Sequence, residues 1–371
     1  MVRTAIRVMG IALVCLMVLP QRVPAQPKSA EPYRFGASMV TSGSDAEYVT
    51  KYMIQGILDA VEEINAQGGI KGRPIKLILE DTKADPSTGA MVTKKLISVD
   101  KVQAIITVFT NVVLAQLPIV DQAKVLLFAS YVRTPGLIER SRWVARVCDA
   151  GYETGQEMAK VALKRNIKSV VMLYEQQEGI LSQVKGFNEV YAKGGGKILG
   201  QESFRKSDPD FRAQITKLQG KGADGFYVLA TAVRDKAVTF KQMAELGWKP
   251  KHLLSCHPIE TKEFVEVTGK AAEGVFYVTN YIDPDFAKQW EKRHGYSPDA
   301  NCAAYYDSTK LLALAFQRAK DDSPEAMRDV LFNIKNYKGA QGITNFNGNG
   351  QGIVQYMLKE LRGGAFTEAK E

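Results

Sequence analysis

Residues 34–81 read RFGASMVTSGSDAEYVTKYMIQGILDAVEEINAQGGIKGRPIKLILED, and the order of patterns inside this stretch decides the fold. Phe35 to Val40 is a short apolar run that breaks at Thr41-Ser42-Gly43-Ser44, a cluster too polar and too glycine-bearing to continue a strand. Val49, Met53, Ile57, Ala60 and Ile64 then follow at spacings of four, four, three and four, which is one face of a 3.6-residue helix. Gly68 and Gly69 suit a left-handed cap and Pro74 cannot continue the helix, so Ile75 to Leu79 is the next strand. Strand, helix and strand make a βαβ unit. Its sheet is therefore parallel, and ligands are expected beyond the carboxyl ends of the strands.

Downstream the alternation repeats. Helices are predicted over 86–99, 112–122, 152–164, 181–192, 210–218 and 235–246, with extended runs at 102–109, 125–129, 143–148, 169–174, 197–204, 225–229 and 252–255. The cycle restarts near residue 150, so two doubly wound α/β lobes of the same architecture are expected. After residue 280 the pattern changes to helices at 286–294, 300–319 and 324–333, followed by a Gly/Asn-rich turn between two extended segments. These read as returns of the chain to each lobe. The expected division is residues 26–147 with 280–340 for lobe one and 148–279 with 341–371 for lobe two, joined by a three-segment hinge over a ligand cleft.

Composition bounds the function. With 371 residues, 45% hydrophobic and 24% charged, the chain is long enough for two domains. Arg3 and Arg7, the apolar run Ile11 to Leu19 and the small-residue close Val23-Pro24-Ala25 read as a secretory signal peptide over residues 1–25. Val14 stands where lipoprotein signals carry Gly or Ala, so Cys15 does not read as a lipid anchor. Removing that segment takes away three arginines and lowers the formal charge from +9 to +6. This charge is spread out, without a basic block, which argues against nucleic acid as a partner. Cys148, Cys256 and Cys302 remain, an odd number without C-x-x-C spacing, so neither a disulfide scaffold nor a zinc cluster is expected.

The chain resembles the periplasmic solute-binding proteins of branched-chain amino acid (LIV) type. The carriers are the run from Gly56 to Ile75, Glu80-Asp81 with Asp85-Pro86, Gly222-Ala223-Asp224 and the segment Gln242 to Gly247. The resemblance implies a type I periplasmic binding protein with a Venus-flytrap closure. Its partners would be a small-molecule ligand and an inner-membrane ABC permease, with the chain exported to the periplasm and acting as a monomer without cofactor. A ligand-sensing receptor of the same fold is the rival reading.

Transferred residue by residue, the resemblance places Ser42 and Tyr48 in the first ligand loop and Phe109, Thr110 and Asn111 in the second. The family's Ser-Pro-Ala-x-Thr segment corresponds to residues 129–133, which brings Ser130 and Tyr131 to the site and Arg133 where amino-acid binders have Thr. An arginine fork grips a carboxylate with two charge-assisted bonds. In the second lobe Glu178 and Thr231 occupy ligand loops, and His257 stands where amino-acid binders carry the acid that meets the ligand ammonium. A buried ammonium without an anion is costly, so a small organic anion, above all an aromatic carboxylate, is expected, unless Glu178 supplies the charge for a hydrophobic amino acid or amide.

Catalysis is not expected. The sequence has three histidines and lacks G-x-S-x-G, H-E-x-x-H and G-x-x-x-x-G-K-[ST]. Cys256 and His257 are adjacent at a strand end and point to opposite faces, so they cannot form a nucleophile-base pair. Gly194-Gly-Gly-Lys197 joins a helix to a strand, the reverse of a phosphate loop.

Overall fold

A computed structural model describes residues 31–206 and 208–369. The signal peptide expected over residues 1–25 lies outside the described residues.

The first lobe begins with β1 (Tyr33–Met39) and the short α1 (Ala46–Tyr48), which widens into a π-turn (Val49–Ile54) before α2 (Gln55–Ala66). Val49, Met53, Ile57, Ala60 and Ile64 are all buried, as the spacing predicts. Gly68 and Gly69 take the positive φ that ends the helix (98° and 75°). Next come β2 (Ile75–Asp81), α3 (Pro86–Ser98), β3 (Ala104–Thr107), α4 (Thr110–Ala123), β4 (Leu126–Phe128) and β5 (Val144–Ala145). All pairings are parallel, in the order β2-β1-β3-β4-β5.

The second lobe repeats the plan with α5 (Tyr152–Lys164), β6 (Ser169–Glu175), α6 (Glu178–Lys193), β7 (Lys197–Phe204), α7 (Arg212–Gln219), β8 (Gly225–Leu229), α8 (Val233–Glu245), β9 (His252–Leu254), α9 (Lys262–Thr268) and β10 (Phe276–Asn280). α5 and α6 pack so closely that a Cβ on Gly155 would stand 2.0 Å from the Gln183 carbonyl. The chain then returns to lobe one through α10 (Pro284–His294), α11 (Ala300–Arg318) and α12 (Pro324–Phe332). A small antiparallel sheet follows, formed by β11 (Tyr337–Gly339), β12 (Gly342–Phe346) and β13 (Gly352–Ile353). Finally β14 (Tyr356–Arg362) and β15 (Ala365–Glu368) add antiparallel edges to the second sheet, whose order is β15-β14-β10-β9-β8-β6-β7.

The last return differs from the sequence expectation of a switch at residue 341. Phe346 is buried in the first lobe's core, edge-to-face with Phe128 at 6.4 Å, so the chain enters lobe two only at β14. An antiparallel hairpin carries the same alternation in either lobe, and only the packing of Phe346 decides between them.

Three segments thus pass between the lobes: residues 146–151, 281–283 and 354–355. They are tied to one another. Tyr281 N–H of the second donates to the Gln355 carbonyl of the third (2.8 Å), and Gly352 N–H, just before the third, donates to the Arg146 carbonyl of the first (2.8 Å). Cys148, Cys256 and Cys302 are buried free thiols. Among the described residues no helix is long and apolar enough to cross a membrane.

Candidate functional site

The loop after β4 and the segment before α11 meet the loops after β6, β9 and β10, and a buried polar cluster forms there. From lobe one, Asp299 caps α11 by accepting from Cys302 N–H (3.0 Å). The Tyr48 hydroxyl donates to its other oxygen and accepts from Asn301 Nδ2 (2.7 Å). From lobe two, His257 Nε2 reaches within 3.5 Å of the same Asp299 oxygen, with both side chains almost fully buried. Burial pushes the Asp299 carboxyl up, but His257, Tyr48 and the Cys302 amide together hold it below its ordinary pKa. The His257 ring meets the Tyr131 ring edge-on at 5.6 Å.

Arg133 does not stand free to grip a ligand carboxylate. Its Nη1 donates to both oxygens of Asp149 (2.9 and 3.1 Å) and to Thr154, and its Nη2 to the Tyr131 hydroxyl (2.8 Å) and to Asn280 Oδ1 (3.2 Å). Asp149 is saturated in turn by Gly151 N–H, Thr154 Oγ1 (2.8 Å) and the Tyr356 hydroxyl (3.0 Å). Burial would raise its pKa, yet the Arg133 charge and these donors leave it lowered. The fork that the sequence points toward a ligand therefore fastens the first crossing segment, because a carboxylate lies sixteen residues along the chain, at a distance no local pattern discloses. Burial, partly offset by Arg133, pushes the Tyr131 phenol up to about 12.

The other expected site residues divide. Ser130 is buried and its Oγ has no partner among the described residues. Phe109 caps α4 with a positive φ of 68° and packs on the first core, while Thr110 Oγ1 bonds Thr134 Oγ1 (2.8 Å). Four lie away from the cluster or are already engaged. Ser42 is exposed and donates to Asp81 (2.6 Å), and Asn111 is exposed and donates to the Ala84 carbonyl (2.8 Å). Thr231 N–H and Oγ1 both donate to Glu175 (2.7 Å each). Glu178 sits in the first turn of α6, on a groove of about 880 Å³ beside the crossing segments, and faces Arg140 at 3.6 Å across the lobes. It does not join the cluster that holds His257.

Sequence reasoning misses the rest of the cluster. Glu260, three residues after His257, forms an ion pair through Oε2 with Lys359 of β14, with side chains 9% and 11% exposed. Tyr277 and Thr279 point the same way from β10, and Tyr277 lies directly opposite Lys359 in the antiparallel register. A buried acid three positions past the expected one, and a lysine set between Met357 and Leu361 on one face of the last long strand, are the signals that could have found the pair. Asn280, at the end of β10, also joins.

Unpartnered atoms locate the site. Of the twelve buried side-chain N and O atoms without a protein partner among the described residues, seven belong to this cluster: Ser130 Oγ, both His257 nitrogens, Glu260 Oε1, the Tyr277 hydroxyl, Thr279 Oγ1 and Asn280 Nδ2. Each such atom costs about 1–3 kcal/mol unless something completes it. Tyr48, Tyr131, His257 and Tyr277 thus stand in or beside a buried cluster that combines aromatic surface with donors and one carboxylate oxygen left without a protein partner among the described residues. Among the described residues no group of His, Cys, Asp and Glu is placed to hold a metal ion.

The model of a family described as periplasmic binding protein matches residues 32–365, almost all that the structure describes. The chain belongs to that family. The periplasmic binding protein fold is a type I α/β fold of two parallel-sheet lobes, and the family consists of binding proteins, not enzymes. Among curated relatives, Leu/Ile/Val-binding protein homolog 2 of Brucella abortus (strain 2308) is 26% identical over 343 residues, covering 89% of this chain and 90% of that protein. Among solved structures, the leucine binding protein LivK of Thermotoga maritima superposes with a TM-score of 0.83 at 25% identity, covering 91% of this chain and 97% of that one. A solute binding protein of an ABC transporter from Rhodopseudomonas palustris BisB5, in complex with 3,4-dihydroxy benzoic acid, gives 0.79 at 21% identity, covering 92% and 98%. For this periplasmic binding protein, two-lobed relatives of very different ligand chemistry thus share one frame.

Proposed function

We propose that this chain is the periplasmic solute-binding component of an ABC importer and that it closes on a small organic carboxylate, aromatic in body, between its lobes. The observation that carries the reading is that each carboxylate of the cluster already has a protein partner, Glu260 through one of its two oxygens. Asp149 belongs to Arg133, Asp299 to Tyr48 and His257, and Glu260 to Lys359. An α-ammonium entering here would find no unpaired anion, and desolvating it without one is expensive. A carboxylate would be held instead by Ser130 Oγ, Asn280 Nδ2 and a ring nitrogen of His257, with the tyrosine faces against the ring of the ligand. Because both lobes contribute, the ligand stabilises the closed form over the open one and shifts that population. The closed surface is what the inner-membrane permease reads.

A second reading is kept alive by one atom. Glu260 Oε1 is buried and unpartnered, and it would accept from the ammonium of a branched-chain amino acid, the ligand class named for the relatives. A thermal-shift screen separates the two. Benzoates, phenylacetates, their α-amino counterparts and leucine are each added at about one hundred times a micromolar dissociation constant, where binding adds about 2.7 kcal/mol and raises the midpoint by a few degrees. The organic-acid reading expects a shift from acids without an ammonium. A shift from leucine alone establishes the second reading in its place.

A further inference from the structure

The Glu260–Lys359 pair has a feature that acid binding does not explain. Its Oε2 is tied to Lys359, whereas Oε1 is buried with nothing to accept from among the described residues. Beside it the Tyr277 hydroxyl is also buried and unpartnered. Burial first, and then the Glu260 carboxylate, push that phenol well above its ordinary pKa, so it stays protonated and the two groups act on one another. Lys359 is held in place by the sheet, directly across from Tyr277 in the β10–β14 ladder. The chain's last return to lobe two thus delivers a cation whose partner is the cluster's one incompletely used acid.

We infer that Glu260, Lys359 and Tyr277 form a subsite that reads an uncharged hydroxyl at the far end of the ligand and rejects an ammonium there. This rests on the organic-acid reading above and makes the ligand class a hydroxylated carboxylic acid. A hydroxyl is both donor and acceptor, so it donates to Glu260 Oε1 in a charge-assisted bond and accepts from Tyr277. An ammonium has no acceptor for the Tyr277 proton. It also enters next to a carboxylate whose charge Lys359 already balances, and so leaves water for a site of zero net charge. An unsubstituted acid leaves both buried atoms uncompleted.

Calorimetric titration of the purified protein with benzoate, 3- or 4-hydroxybenzoate and 4-(aminomethyl)benzoate tests this. The wild type is expected to bind one hydroxybenzoate at least about tenfold more tightly than benzoate, the scale of a hydrogen bond to a charged group, and the aminomethyl acid most weakly. Glu260→Gln should bring the two acids close together, and Lys359→Met should raise the standing of the aminomethyl acid, with melting midpoints recorded to confirm folding. Equal affinity of benzoate and both hydroxybenzoates in the wild type overturns the subsite and leaves the acid reading standing; this arm needs no variant. Binding of leucine with none of the acids overturns both.

Discussion

Two buried ion pairs bridge distant parts of this chain, and they are finished to different degrees. In Arg133–Asp149 both acid oxygens and both terminal guanidinium nitrogens are engaged: the acid accepts from the guanidinium, a backbone amide, Thr154 and Tyr356, and the arginine reaches Tyr131 and Asn280 as well. In Glu260–Lys359 one buried acid oxygen is left without a protein partner among the described residues. The contrast separates scaffold from recognition. A pair whose buried oxygens and terminal nitrogens are all engaged by protein holds the fold, whereas a pair with one open buried atom has a place for something that is not protein.

The strongest way to break this comparison is to remove the cation of the finished pair. Arg133→Met leaves Asp149 buried with its charge, and losing one partner of such a pair costs about 3–5 kcal/mol. Urea unfolding should show that loss in the midpoint. A loss under about 1 kcal/mol would mean that Arg133 is not fastening the crossing segment, and that its fork is available to a ligand after all.

A carboxylate without a full cationic partner sharpens the point. Asp307 of α11 is buried and accepts from the amides of Ala340 (2.8 Å) and Gln341 (2.7 Å), but burial outweighs these donors and pushes its pKa up to about 7. Between its unfolded value near 3.8 and about 7 the native state therefore binds more protons than the unfolded one, so this group's contribution to stability falls as pH rises. Asp149 and Asp299, held low, act in the opposite sense: their contribution is present above the ordinary carboxylate range and is lost as pH falls below about 4. Stability measured against pH should decline from about 5 to 7, and Asp307→Asn should flatten that decline. An unchanged slope in the variant would remove Asp307 from this account.

The smallest effect is expected where the lobes meet in water. Arg140 and Glu178 lie 3.6 Å apart with side chains 44% and 46% exposed. Glu178→Gln should change stability by at most about 1 kcal/mol and should leave ligand binding unaltered. Weakened ligand binding in that variant would return Glu178 to the site.

The frame was legible because it is periodic. The stripe from Val49 to Ile64, the glycines after it and the repeated βα alternation rest on local spacing, and local spacing is what a helix or strand obeys. The return at residue 346 was not legible, since the hairpin's alternation suits either lobe until Phe346 meets Phe128. The site was half legible for the same reason. Tyr48, Ser130, Tyr131 and His257 follow strand ends, where doubly wound folds place ligand loops. Asp299, Lys359 and the engagement of Arg133 depend on partners brought together by the crossings: forty-two residues separate His257 from Asp299, and ninety-nine separate Glu260 from Lys359. Charge pairing across such distances is set by the tertiary fold and leaves no trace in a window of sequence.

The most direct test of the division between scaffold and recognition is the ratio of affinities for 4-hydroxybenzoate and benzoate, measured by calorimetry in Arg133→Met and in Glu260→Gln. The account predicts that Arg133→Met weakens both acids alike and keeps the wild-type ratio, while Glu260→Gln brings the ratio close to one. A ratio that collapses in Arg133→Met and survives in Glu260→Gln would contradict it, and would make the finished pair, not the open one, the part of the molecule that recognises the ligand.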